Sequence, residues 1–195
     1  MTDLDMLMEK PSTPAAMAQA REFSAHLPSL QTDRLTLRAP VLSDFDAYTQ
    51  ITCSARGKGL GGPFSRDDAW YDFATMVGTW LLRGHGIWSV EETATEQLLG
   101  FVVIGFEPGD QHHELGYMML EDTEGRGYAT EAAKAARAYA QNSLNIQVLD
   151  SYIFPGNTKS IALAERLGAT CVGEISYPED DAPSLVYRHP NPAEA

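Results

Sequence analysis

Gly116-Tyr-Met-Met-Leu-Glu-Asp-Thr-Glu-Gly-Arg-Gly-Tyr-Ala-Thr-Glu-Ala132 is the stretch on which the fold of this chain turns. A short apolar run of strand type ends at Leu120, a turn carries Gly125 and Gly127, and an Ala-rich helix starts near Tyr128. Such a turn presents backbone N–H groups at a helix N-terminus, and no side chains crowd the two glycines. It makes a receptacle for an anion, most usefully a pyrophosphate. Any strand-to-helix connection can use Gly, so the case rests on what flanks the turn.

Working outward, the helix from about Tyr128 to Ser143 places Ala129, Ala132, Ala133, Ala136, Tyr139 and Ala140 at helical spacing. Small residues there let a helix lie close against a sheet. Val148 to Phe154 reads as a strand. Asn157 is a plausible cap of a helix ending before Gly168. Ala169 to Ser176 and Leu185 to His189 read as two last strands. Upstream, Gly86 to Glu92 and Leu98 to Glu107 pair as antiparallel strands, followed by Glu114 to Leu120. Ser65 caps a helix with Asp67 and Asp68 in its first turn and Ala69, Phe73, Met76, Val77 and Trp80 on one face. Residues 54–64, with four glycines and Pro63, read as a flexible loop. Ser43 or Asp44 caps a helix running to about Cys53, and Arg34 to Arg38 alternates as a strand. Pro14 to His26 is helix-compatible, so residues 1–29 form an N-terminal arm and 30–190 one domain. The order predicts an α/β fold, a mixed sheet with helices on its faces. It lacks the regular alternation and the G-x-G-x-x-G run of a dinucleotide fold.

Length and composition fit one domain with a sizeable core: 195 residues, 44% of them apolar. The net charge of -13 argues against a nucleic-acid binder and against docking on an anionic membrane. It suits a cationic acceptor, or simply solubility. Cys53 and Cys171 belong to no metal spacing, and no metal is expected. No apolar stretch approaches a membrane span, and Met1 to Lys10 is acidic without a long apolar core. The expectation is a soluble cytoplasmic protein.

Leu30 to Arg38, Glu114 to Met119 with Gly125 to Ala132, and Asn157 to Ser160 with Glu165 to Gly168 are three segments that together resemble the GNAT N-acetyltransferases, and within them the RimJ/RimL-like ribosomal-protein-alanine acetyltransferase group. The resemblance implies a mostly antiparallel central sheet flanked by helices, and acetyl-CoA as co-substrate. The superfamily's pyrophosphate motif falls on Glu124 to Ala129. Gly127 and Ala129 match it, and Glu124 departs from its first position. Phosphate contacts would come from the backbone of Gly125, Arg126, Gly127, Tyr128, Ala129 and Thr130, with Glu121, Asp122 and Glu124 facing water. Met118, Met119 and Leu120 match the strand that binds pantetheine through its backbone. Asn157 matches a residue reaching the pantetheine end, or is an ordinary cap. Lys159 meets a phosphate or is solvated.

Acetyl transfer needs a neutral amine, a polarised thioester carbonyl and a proton source for the departing thiolate. Deprotonating an α-amine at pH 7 costs about 1.4 kcal/mol and a lysine about 4.6 kcal/mol. Glu114 is the candidate base, directly or through water, with His112 or His113 as the lesser alternative. Ser160 is the candidate donor to sulfur, with Tyr128 and Tyr177 as alternatives. The family layout implies an acceptor pocket from the Gly57–Pro63 loop, the helix containing Trp70, and the strands near Tyr177 and Tyr187. An acidic run at 179–181 can attract a cationic amine. The acceptor is a protein N-terminal amine, a cationic peptide or a small amine. The arm can cover a neighbouring surface or the other subunit of a homodimer. A non-catalytic acyl-CoA-binding or sensory module is the alternative. Gly127, Ala129 and Asn157 suit both, and a positioned Glu114 favours the enzyme.

Overall fold

The computed structural model describes residues 7–177 and 182–191. The acidic run at 179–181 therefore lies outside the described residues. Five helices and eight strands follow in chain order: α1 (Pro14–Ser24), β1 (Leu30–Gln31), β2 (Leu35–Arg38), α2 (Phe45–Thr52), α3 (Arg66–Arg83), β3 (Ile87–Glu92), β4 (Leu98–Gly105), β5 (His113–Met119), α4 (Tyr128–Asn142), β6 (Leu149–Ile153), α5 (Thr158–Arg166), β7 (Thr170–Ile175) and β8 (Ser184–Arg188). One sheet holds all eight strands in the order β1-β2-β3-β4-β5-β6-β8-β7. Every neighbouring pair is antiparallel except β5 with β6.

Strand alternation splits the core between the two faces of the sheet. Val102, Ile104, Leu115 and Met119 face α4, where Ala132, Ala133, Ala136 and Ala140 let the helix sit close. Phe101, Val103 and Met118 face the other way, onto Phe45, Tyr48 and Ile51 of α2 and Ala69 and Phe73 of α3. A smaller cluster under α5 contains Ile153, Ala164, Ala169 and Tyr187. Trp88 is fully buried, meets Trp80 edge-on at 4.6 Å, and donates its indole N–H to Pro28 O at 2.8 Å. That bond fixes where the arm enters the domain. α1 itself, capped by Thr13 and begun by Pro14, buries none of its residues.

The structure differs from the sequence reading in two places. Residues 54–64 are not a featureless loop: Ala55–Leu60 forms a 3-10 turn capped by Ser54. Gly57 presses so closely on α2 that an added Cβ would stand 2.1 Å from Thr52 O. An additional short strand, β1, precedes the expected one: Leu30 and Gln31 pair antiparallel with Leu37 and Thr36 of β2.

Candidate active site

The parallel pair β5–β6 is in register only at His113 with Leu149 and Glu114 with Asp150. Beyond that the strands part. The Ser151 hydroxyl, not a backbone N–H, takes up Leu115 O at 2.6 Å. The opening is a cleft of about 1820 Å³ running from Tyr117–Met119 of β5 to Phe154 and α5 and down to the start of α4. Ile51, Leu60 and Met118 also border it, so it reaches the α2 side of the sheet as well. Peptide groups of a strand point alternately to its two neighbours. Leu115 O reaches β6, Met119 O accepts Arg56 Nη2 at 2.8 Å, and Leu120 N–H donates to Leu99 O of β4. The same alternation turns the peptide groups of Tyr117 and Met119 into the cleft. Those of Met118 and Leu120 belong to β4, which narrows the expected Met118–Leu120 backbone contact to Met119. Leu120 does not line the cleft.

At the far end of the cleft, Gly125 (φ 76°) and Gly127 (φ 80°) adopt the left-handed conformation, and no side chain caps α4. Glu131 N–H is bonded back to Gly127 O at 3.1 Å. The N–H groups of Tyr128, Ala129 and Thr130 precede it and have no helical acceptor. The turn is braced from β2's approach. Arg34 donates to Glu131 Oε2 at 2.7 Å and to Arg126 O at 3.1 Å and lies 4.7 Å over the Tyr128 ring. Thr32 Oγ1 donates to Glu131 Oε1 at 2.6 Å. Arg126 is held through its carbonyl and does not line the cleft. The Tyr128 hydroxyl donates to Glu92 of β3 at 2.6 Å, a residue that does not line the cleft.

Glu124 corrects an expectation. Glu121 and Asp122 are exposed, but the Glu124 carboxylate does not face open water. It is held by Arg56 from the 3-10 turn and by Lys159 of α5 at 2.6 Å, and these cations lower its pKa. Lys159 pairs with this carboxylate yet stays largely in solvent, with 77% of its side chain exposed. Arg56 Nε is buried without a hydrogen-bond partner among the described residues. Asn157 Oδ1 accepts Ser160 N–H at 3.1 Å, an ordinary cap, while its amide nitrogen lies against Gly59. Both Asn157 and Ser160 line the cleft.

Glu114 stands at the throat, the last paired step before β5 and β6 part, but does not itself line the cleft. Its carboxyl leans along the strand towards Gly116, where an added Cβ would lie 3.7 Å from Oε1. Desolvation pushes its pKa well above the ordinary carboxylate value, Glu107 and Asp110 push the same way, and the Tyr152 backbone N–H opposes them. Tyr177 donates to Asp110 Oδ1 at 2.6 Å and meets Tyr152 edge-on at 6.3 Å. Tyr48 is bonded to Asp72, whose own pKa burial raises. Glu107, Asp110 and Tyr177 therefore give Glu114 an acidic, aromatic neighbourhood.

Several sequence candidates are not brought together with this throat. His112 is bound to Asp150 Oδ2 at 3.0 Å, and His113 packs against His85 and Phe106 on the α4 side of β5. Tyr187 lies under α5 beside Glu165, away from Tyr177. Tyr117 was missed. Its hydroxyl lies in the cleft and donates to Ser160 O at 3.1 Å, and burial, with Glu114 adding, raises its pKa. The signal was its place three residues after Glu114, where alternation puts it on the other face of the same strand.

The chain matches the acetyltransferase (GNAT) domain family over residues 34–170. It is 40% identical to an acetyltransferase of Agrobacterium tumefaciens strain C58, with a TM-score of 0.78, covering 85% of this chain and 95% of that one. An uncharacterized N-acetyltransferase p20 of Bacillus licheniformis is 30% identical over 145 residues, 71% of this chain and 80% of the relative. RimL, a ribosomal L7/L12 α-N-protein acetyltransferase solved with coenzyme A, shares the fold at 18% identity. Its TM-score is 0.69, and 85% of this chain and 99% of that one are covered.

Proposed function

The chain belongs to the GNAT acetyltransferase family and is an acyltransferase; from that premise we propose that it moves the acetyl group of acetyl-CoA to a cationic primary amine by direct attack in a ternary complex. The observation that carries this reading is the parting of β5 from β6 into a cleft that ends at an uncapped helix N-terminus. The residues present fit such a co-substrate. Free N–H groups at Tyr128 to Thr130 suit a pyrophosphate, and Arg56 and Lys159 supply cations beside it. The inward peptide groups of Tyr117 and Met119 suit the amides of pantetheine, with Asn157 and Ser160 on the opposite wall. Acetyl-CoA supplies the activated thioester.

The chain's own groups then divide the work. Glu114 takes the proton of the attacking ammonium, directly or through water, and its raised pKa brings it nearer the operating pH. Glu107 and Asp110 draw the cationic acceptor towards that carboxylate. Tyr117 keeps its proton at neutral pH and returns one to the thiolate as the C–S bond breaks, with Ser160 beside it in the cleft. Neither cysteine enters: Cys53 packs beside the α2 core and Cys171 lies exposed on β7, so no acyl-enzyme is invoked.

Calorimetric titration with acetyl-CoA, beside a thiol-release assay over small amines and N-terminal peptides, tests the reading. Binding plus release driven by cationic amines is the expected result. Binding without release by any amine removes the acceptor assignment. No binding removes the reading of the Gly125–Thr130 turn.

A further inference from the structure

A second cavity, of about 660 Å³, lies between the C-terminal ends of α3 and α4 and the start of β5. It is remote from the cleft. The cleft holds the first residues of α4 and this cavity the residues just after its last, some 22 Å away at about 1.5 Å per residue. The chain carries 27 acidic residues against 14 Lys and Arg, yet no Asp or Glu among the described residues lines this cavity. Arg83 and three of the five histidines, His85, His112 and His113, do.

These groups are short of an anion. Arg83 lies 5.4 Å over the Phe106 ring and has no ion-pair partner among the described residues. His113 stands edge-on to His85 at 5.1 Å and to Phe106 at 5.3 Å, and neither ring nitrogen is hydrogen-bonded to a described residue. His85 uses Nδ1 to donate to Ile104 O at 2.8 Å, which leaves Nε2 for a ligand. Burial holds the pKa of His85 and of His113 below the ordinary value. Arg83 adds to both effects, and His85 and His112 add to that on His113. Behind His112 stand Asp150 and Arg188, already paired with each other. A volume of this size suits a small molecule, and Phe106, Leu144 and Val148 give it an apolar wall.

We propose that this cavity is a second ligand site, for a small organic anion whose carboxylate or phosphate lies between Arg83 and His113 and whose apolar body rests on Phe106. The charged group meets a guanidinium and an imidazole that takes up a proton as the anion arrives. Binding therefore strengthens as pH falls from 8 to 6 and levels off once His113 is protonated in the free protein.

The test is titration of the full chain with benzoate, phenyl phosphate and inorganic phosphate, read from the ¹H–¹⁵N signals of the histidine side chains. Benzoate or phenyl phosphate should shift His85 and His113 saturably, and whichever binds more tightly identifies the anionic group. Inorganic phosphate, lacking the apolar body, should bind more weakly. Arg83→Gln should weaken binding about tenfold through loss of one charge-assisted contact. His113→Gln should abolish the pH dependence of benzoate binding, because that carboxylate stays ionised from pH 6 to 8 whereas a phosphate monoester titrates in this range. Acetyl-CoA titrations on both variants should match the parent, which separates this site from the cleft and confirms folding. No saturable shift with either aromatic anion overturns the proposal, as does an affinity unchanged in Arg83→Gln.

Discussion

The two ends of β5 are built from different materials. At its C-terminal end the proposed co-substrate receptacle is backbone: two left-handed glycines, the free N–H groups of α4, and the inward peptide groups of Tyr117 and Met119. At its N-terminal end the proposed working group is one side chain, Glu114, whose pKa is raised by burial and by neighbouring carboxylates. A backbone site tolerates side-chain change, which is how Glu124 can stand where the family motif has another residue. A side-chain site has no such redundancy. Deleting the carboxyl should cost chemistry and leave cofactor binding alone.

The largest effect should come from breaking the side-chain end. Glu114→Gln should lower kcat/KM about 100- to 10,000-fold, the range for losing a general base, with acetyl-CoA affinity unchanged by calorimetry. Turnover intact across pH 6–9 would sink the assignment. The same variant carries a signed stability test. Glu114 is protonated more readily folded than unfolded, so its ionisation costs stability as pH rises above the unfolded value. Glu114→Gln should therefore melt higher than the parent at pH 8, and the difference should vanish near pH 4, where both states carry the proton.

Breaking the backbone end needs a change of backbone freedom. Gly127→Ala forces a Cβ into left-handed geometry at about 1–2 kcal/mol. Acetyl-CoA affinity should fall about tenfold, with kcat at saturating co-substrate little changed. An unchanged Kd would show that the turn adjusts freely.

Glu124 sharpens the comparison, because it is a side chain placed across a backbone site. Glu124→Gln should release Arg56 and Lys159 for the incoming phosphates. Both pairs are partly exposed, worth about 0.5–1 kcal/mol, so affinity should rise a few-fold and become more salt-dependent. A fall in affinity would instead make Glu124 a strut that holds the cleft open. The smallest effect belongs to Arg34→Ala, which removes a half-exposed brace of α4. It should raise the acetyl-CoA KM about two- to fivefold without changing the pH profile.

Local signals in the sequence determined much of this protein. Gly125 and Gly127 before an Ala-rich run mark the turn and the close-packed helix, because only glycine enters the left-handed region cheaply and only small residues let a helix approach a sheet. Ser65, Asn157 and Gly168 mark helix ends for equally local reasons. Alternation located β2, and short strand-type runs located β3, β4 and β5, the strand bearing Glu114. Tertiary structure alone decided which groups share a space. That β5 and β6 part after one ladder step depends on Ser151 replacing a backbone donor, which no pattern along the chain records. That Glu124 turns inward depends on Arg56, 68 residues away, and on Lys159. That Tyr187 sits under α5 and Tyr117 in the cleft depends on sheet order and strand face. Backbone conformation is set by a few neighbouring residues and can be read from them. The field and the partners at a carboxylate are set by strands and helices far apart in sequence, and exist only once the sheet has brought them together.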